Sequence, residues 1–145
     1  MGITTAMCTS FKSELLGGTH DLDTHTLKLA LIKSGESGTY GAATTNYSDV
    51  TGNSDEASGT NYTAGGQNLD GAAISVDGTT AIVDFTDEVF SNVTTSAAGC
   101  IIYNSSASNK AICVISFGGT VSATAGDLTI EFPAAAASTA VIRIA

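Results

Sequence analysis

The chain has 145 residues, with 14 acidic against 5 basic ones for a formal net charge of −9, and only 13% of its residues are charged. A chain of this length buries roughly 68–70% of the surface its unfolded form exposes, which predicts a single domain over residues 1–145 needing no metal or disulfide to hold its core. The acidity excludes a phosphate backbone as partner, because nucleic-acid affinity comes largely from Lys and Arg, and no apolar run reaches the roughly 18–20 residues of a membrane-spanning helix.

The surface is the unusual part. Thr, Ser, Asn, Gly and Ala stand where Lys and Glu are common. Short side chains lose little conformational entropy when buried against a neighbour, which suits a building block. The N-terminus lacks a basic stretch followed by an apolar one, so no signal peptide is expected. Met1-Gly2 resembles a myristoylation start, but Ala6 occupies the position that wants Ser or Thr.

In chain order, Met7, Phe11 and Leu15 recur every four residues and predict a helix over about 4–16, started by Thr4 or Thr5 and stopped at Gly17-Gly18. The period then changes to two, and "TLKLALIK" from Thr26 to Lys33 reads as a strand. About residues 34–66 the sequence is polar and Gly-rich without sustained periodicity, punctuated by Tyr40, Tyr47 and Tyr62; it reads as a long loop that is functional or mobile. "AAISV" and "TAIVDF" flank Asp77-Gly78, a tight hairpin signal. "AGCIIY" and "KAICVISF" form a second hairpin through Asn104–Asn109. "DLTIEF", ended by Pro133, and "TAVIRIA" give two further strands, with a helical turn available to Ala134–Ala137. One N-terminal α-helix and seven or more short strands predict a mainly-β fold, an antiparallel sandwich or jelly-roll-like barrel.

If Tyr103 faces Lys110 in the second hairpin, stepping back pairs Cys100 with Cys113 on one sheet face, within disulfide reach. The three cysteines match no zinc spacing, and buried small hydrophobes are the favoured reading. Four Asn-x-Ser/Thr sequons, at Asn46, Asn61, Asn92 and Asn104, arise readily in a chain this rich in those residues.

No nucleophile elbow, phosphate-binding loop or zinc-protease motif occurs. "HDLDTH" is the most enzyme-like cluster, since Asp21, Asp23 and His25 share a face of an extended chain beside His20; a polar turn is the favoured reading. Asp49, Asp55 and Glu56 lack the spacing of a calcium loop. Asp84, Asp87 and Glu88 would need an opposing cleft to do acid/base work. We therefore expect no enzyme, no catalytic or metal site and no cofactor.

"GITTAMCTSFKSELLGGTH", "TNYTAGGQNL", "TAIVDFTDEVF", "AGCIIYN" and "GDLTIEFPAAAASTAVIRIA" together resemble a family of small virion structural proteins of tailed bacteriophages, in length, segment order and both termini. The resemblance spans nearly the whole chain outside Ser34–Asn61. It implies a particle component, made in the host cytoplasm and placed on the capsid surface as a decoration or cement protein. The implied partners are the major capsid protein and further copies of the chain, a homo-oligomer, with no nucleic acid and no membrane. The alternative is a tail or fibre component, in one form a carbohydrate-binding jelly-roll using the tyrosine-bearing loop. A small metal hydrolase built on His20–His25 is a third reading. The stripe of Met7, Phe11 and Leu15 is the interface expected from the residues, docked either on the chain's own sheet or across a subunit boundary.

Overall fold

A computed structural model describes all 145 residues. In chain order the elements are β1 (Gly2–Ile3), β2 (Ala6–Met7), α1 (Thr9–Leu16), β3 (Leu27–Ile32), β4 (Thr39–Tyr40), α2 (Ser48–Gly52), β5 (Gln67–Asn68), β6 (Ala73–Asp77), β7 (Thr80–Asp84), β8 (Glu88–Asn104), β9 (Lys110–Ile130) and β10 (Ile142–Ile144). They form a five-stranded sheet ordered β2-β9-β8-β3-β5, a three-stranded sheet ordered β10-β7-β6, and a parallel β1-β4 pair. The fold is mainly β with a short N-terminal helix. Each sheet ends in edge strands, so the pairing does not close into a barrel.

The helix begins later than its apolar spacing predicts. Met7 sits in β2, paired with Cys113 of β9, and α1 starts after Cys8, which makes no side-chain cap. The periodic match of Met7 to Phe11 and Leu15 therefore joins a strand residue to two helical ones. The helix end agrees with the sequence: Gly18 has φ +78°, Thr19 N–H donates to the Glu14 carbonyl at 2.9 Å and Gly18 N–H to that of Leu15 at 3.2 Å. That pair of bonds satisfies carbonyls a helix otherwise leaves open.

β3 lies between β8 and β5, and Leu29, Ala30, Leu31 and Ile32 are fully buried. Alternate residues point to opposite faces, so both faces of this strand are covered. One continuous cluster of 27 buried residues, running from Cys8 to Ile142, forms the core around it.

β8 and β9 make one long hairpin rather than several short strands. The segment read as a separate "DLTIEF" strand is the end of β9, with Ile130, Thr129 and Leu128 opposite Glu88, Val89 and Phe90. Its pairing breaks at four irregularities. One of them overturns the cysteine register. Asn104 pairs with Lys110, and its side chain accepts from Ser106 N–H at 3.0 Å, so the turn starts one residue later than expected. A bulge then leaves Ile112 unopposed, because Tyr103 faces Ala111 while Ile102 faces Cys113. Cys100 therefore faces Ile115, and the two cysteines lie diagonally on one face. Diagonal neighbours are about 7–8 Å apart, beyond the reach of a disulfide.

Candidate interaction surface

Most of the residues singled out by their chemistry are engaged within the chain; the exceptions are Asp84, whose Oδ1 is buried without a hydrogen-bond partner, and the exposed Asp23 side chain. The His20 ring is buried between two partners: Nε2 lies 2.8 Å from Glu14 Oε2 and Nδ1 lies 3.0 Å from Asn104 Nδ2. The same Asn104 nitrogen is 2.9 Å from His25 Nδ1. An amide nitrogen carries two donors and no acceptor, so it donates to both imidazoles and leaves His20 Nε2–H to donate to Glu14. Lys110 Nζ lies 3.5 Å from Glu14 Oε1 and closes this chain of contacts. Phe11 packs edge-on to His20 with ring centroids 5.0 Å apart. Asp21 Oδ1 accepts from the Asp23 and Thr24 amides, a local turn. Hydrogen bonds from the Thr24 side chain and from these amides hold its carboxyl below the ordinary range. The geometry forms no group of three or more His, Cys, Asp or Glu arranged around a common metal position.

The polar segment is tied down by two adjacent carboxylates. Asp55 is fully buried and accepts from Tyr40 Oη at 2.6 Å and from the Ser37 and Gly38 amides at 3.0 and 2.8 Å, with Lys33 Nζ at 3.2 Å. Burial alone would raise its carboxyl, but the hydrogen bonds from Tyr40, Ser37, Gly38 and Lys33 outweigh it and hold the group well below the ordinary carboxylate range. Glu56 accepts from the Tyr47 hydroxyl, from Tyr62 Oη at 2.9 Å and from Gly65 N–H at 2.6 Å. Tyr62 Oη also accepts from the Leu31 amide at 2.9 Å, and Tyr47 stacks on Tyr103 at 4.5 Å. Burial, with Glu56 nearby, pushes the Tyr103 hydroxyl up to about 12.

This segment completes the main sheet. Ala57 N–H donates to Leu31 and Lys33 N–H to Asp55, so residues 55–57 extend the edge that β5 begins. Gly66, at φ +74°, lies so close that an added Cβ would collide with the Leu29 carbonyl. Of the two expectations for this long loop, functional or mobile, the anchoring removes mobility: it is a strip fixed to the sheet. Its tyrosines, the only aromatic features by which the sequence offered a sugar platform, face inward or are hydrogen-bonded to Glu56.

Asp49 is likewise occupied, accepting from the Thr45 amide at 2.8 Å. Asp87 accepts from the Phe132 amide at 2.8 Å. Glu88 is buried, and burial, then the charge of Asp70, raises its carboxyl above the ordinary value. All three cysteines are buried: burial first, then Asp49 and Glu14, pushes Cys8 up to about 12; burial pushes Cys100 up to about 12 and Cys113 well above its ordinary value. Such thiols are poor nucleophiles, because the thiolate is the reactive form.

Of the predicted interface stripe, Phe11 is fully buried in the chain's own core, Met7 is half-buried on β2 and Leu15 half-buried at the helix end. The large apolar side chains that do face solvent are Ile74 at 55%, Val76 at 70% and Ile144 at 50% exposure on the three-stranded sheet, Val89 at 40% and Val121 at 42% on the β8–β9 hairpin, and Met1 at 87% and Leu16 at 91% near the N-terminus. The sequence marked β6 as strand but gave no sign that it is exposed. Two apolar recesses flank this sheet. One, of about 600 Å³, runs between β2–β9 and Val141–Arg143; the other, of about 460 Å³, lies between Leu15–Leu22 and β7–β10.

Comparison with family models, with characterised proteins and with solved structures finds no match to this chain.

Proposed function

We propose that this chain is a non-enzymatic structural subunit of a tailed-phage particle, a decoration or cement protein on the capsid surface that binds the major capsid protein and copies of itself. The observation that carries the reading is the division of labour between interior and surface. His20, His25, Asp55 and Glu56 are spent on internal hydrogen bonds, while Ile74, Val76 and Ile144 are left to solvent. Exposed apolar side chains grouped on one sheet mark contact surfaces. The segment resemblance supplies the particle. In this reading the two larger sheets, which both line the 600 Å³ recess, are the layers of a sandwich-like module.

Antibody labelling of intact particles tests the placement, with label over the capsid shell expected and label confined to the tail contradicting it. A tail-borne carbohydrate module would need an exposed aromatic platform, so a glycan array should show no ligand. Specific binding of a sugar there would favour the tail reading.

A further inference from the structure

The six edge strands are unequal. β1, β2, β4 and β5 have two residues each and β10 has three, whereas β6 has five, every one of them exposed. Proteins normally blunt a long edge with Lys, Pro, a bulge, an inward charge or a cover, because its free backbone groups template pairing with another chain. β6, "AISVD", has none of these, and its register with β7 is unbroken. The other long open stretches, the part of β9 beyond Val114 and the part of β8 before Gly99, are interrupted by register breaks between them and by Asn92, Gly118 and Ala125 at φ +51°, +75° and +46°, and Thr94 of β8 bridges Thr60.

Which backbone groups β6 offers follows from its turn. Gly78 and Thr79 are the two loop residues, Gly78 at φ +63°, and Asp77 pairs with Thr80. The pair closing a two-residue hairpin exchanges both hydrogen bonds, and pairs then alternate. Asp77, Ser75 and Ala73 therefore bond inward to β7. Ile74 and Val76 turn their N–H and C=O outward, where neither has a partner within the chain.

We propose that β6 pairs antiparallel with β6 of a second copy about a twofold axis at Ser75. In that register Ile74 faces Val76 of the other copy on both sides of the axis, and each pair exchanges two hydrogen bonds, so all the outward groups are satisfied. Ser75 faces its own equivalent in a non-hydrogen-bonded pair. The side chains agree with the backbone. Ile74 and Ile142 flank Val83, and Val76 and Ile144 flank Ala81, on one face of the three-stranded sheet. The twofold joins the two apolar faces into one, with Ile74 and Val76 of both copies at the seam.

Charge does not oppose this pairing. Copies carrying a net charge of −9 repel each other, yet β6 holds a single charge, Asp77, which faces Ala73 of the second copy. The two aspartates lie at opposite ends of the pairing. A seam of two five-residue strands is small beside the roughly 1,200–2,000 Å² of stable interfaces. The lone dimer is therefore weak, and simultaneous contacts within an assembly strengthen it.

The pairing gives the proposed structural subunit its self-contact and rests on that reading only for where copies meet. Its test uses purified full-length chain. Ser75→Cys, under mild oxidation, should give a covalent dimer on a non-reducing gel, since residues in a non-hydrogen-bonded pair approach within disulfide range. Asp77→Cys, displaced from the axis, should cross-link far less, and the native cysteines are buried. Adding Val76→Pro to Ser75→Cys removes one outward N–H and should suppress the cross-link; Val76→Lys is the substitute if the proline variant loses its strand circular dichroism. Equal cross-linking of the two cysteine variants, or a cross-link that survives both Val76 changes in folded protein, overturns the pairing. A tail position for the chain would overturn the capsid reading and leave this dimer intact, so the two failures are distinguishable.

Discussion

The polar segment around residues 34–66 and the β6–β7 hairpin exchange the roles their compositions suggest. The first has the Ser, Thr, Asn and Gly of a mobile loop, yet it carries the fully buried Asp55 and three tyrosines bonded to carboxylates. The second has the alternating apolar pattern of a core hairpin, yet all of β6 is exposed. Composition reports how a segment would partition between water and an apolar phase. It does not report whether long-range hydrogen bonds fix a polar segment in place, or whether an apolar strand is held for another chain.

The largest effects should come from breaking the anchors of the polar segment. Asp55→Ala leaves Tyr40 Oη and two amides without their acceptor, while the partly exposed Lys33 keeps the Ser54 carbonyl, and each buried donor left unsatisfied costs about 1–3 kcal/mol. Urea denaturation should show that loss; a change below about 1 kcal/mol would mean the segment is not anchored there. Gly66→Ala should be of similar severity, because its Cβ would strike the Leu29 backbone. Phe11→Ala should cost about 3 kcal/mol or more as a core truncation. It marks α1 as part of the fold rather than as a detachable docking element.

Acid should sharpen the same point. The folded chain holds Asp55 below the ordinary carboxylate range, so the unfolded chain takes up that proton first as pH falls. The stabilisation is present in full above the unfolded value of about 4 and is lost as pH drops through the lower folded value. Asp55→Asn should therefore flatten the acid limb of the stability profile. Glu88 has the opposite sign: its raised carboxyl opposes folding when ionised, and that cost fades as pH falls through the raised value. Glu88→Gln should be neutral to slightly stabilising at pH 7.

Smaller effects lie nearer the hairpin. Tyr62→Phe removes the hydroxyl shared by Glu56 and the Leu31 amide and should cost about 1–2 kcal/mol. Ile74→Ser and Val76→Ser, on exposed positions, should change monomer stability by under about 0.5 kcal/mol while weakening self-association. If they destabilise the monomer strongly, β6 is core and the contrast between the regions collapses.

Much of the framework is legible in the residues: the alternation of Leu27–Ile32, the glycine stop after α1, and both hairpins. The errors have local physical causes. Met7 fell in helical phase with Phe11 and Leu15 by spacing alone, while its backbone pairs with β9. The cysteine register failed at one bulge, because neither the Asn104 side-chain bond to Ser106 N–H nor the unopposed Ile112 alters the apolar pattern. The internal bonding of the candidate residues was hidden for another reason. Asn104 lies 84 residues from His20, and Tyr40 lies 15 from Asp55, so no local periodicity links them.

A reconstruction of the intact particle that traces side chains tests the central claim most directly. This chain should lie on the capsid shell, with Ile74 and Val76 buried against a second copy and residues 34–66 folded onto their own sheet. The chain in the tail with β6 open to solvent, or its absence from the particle, would contradict it.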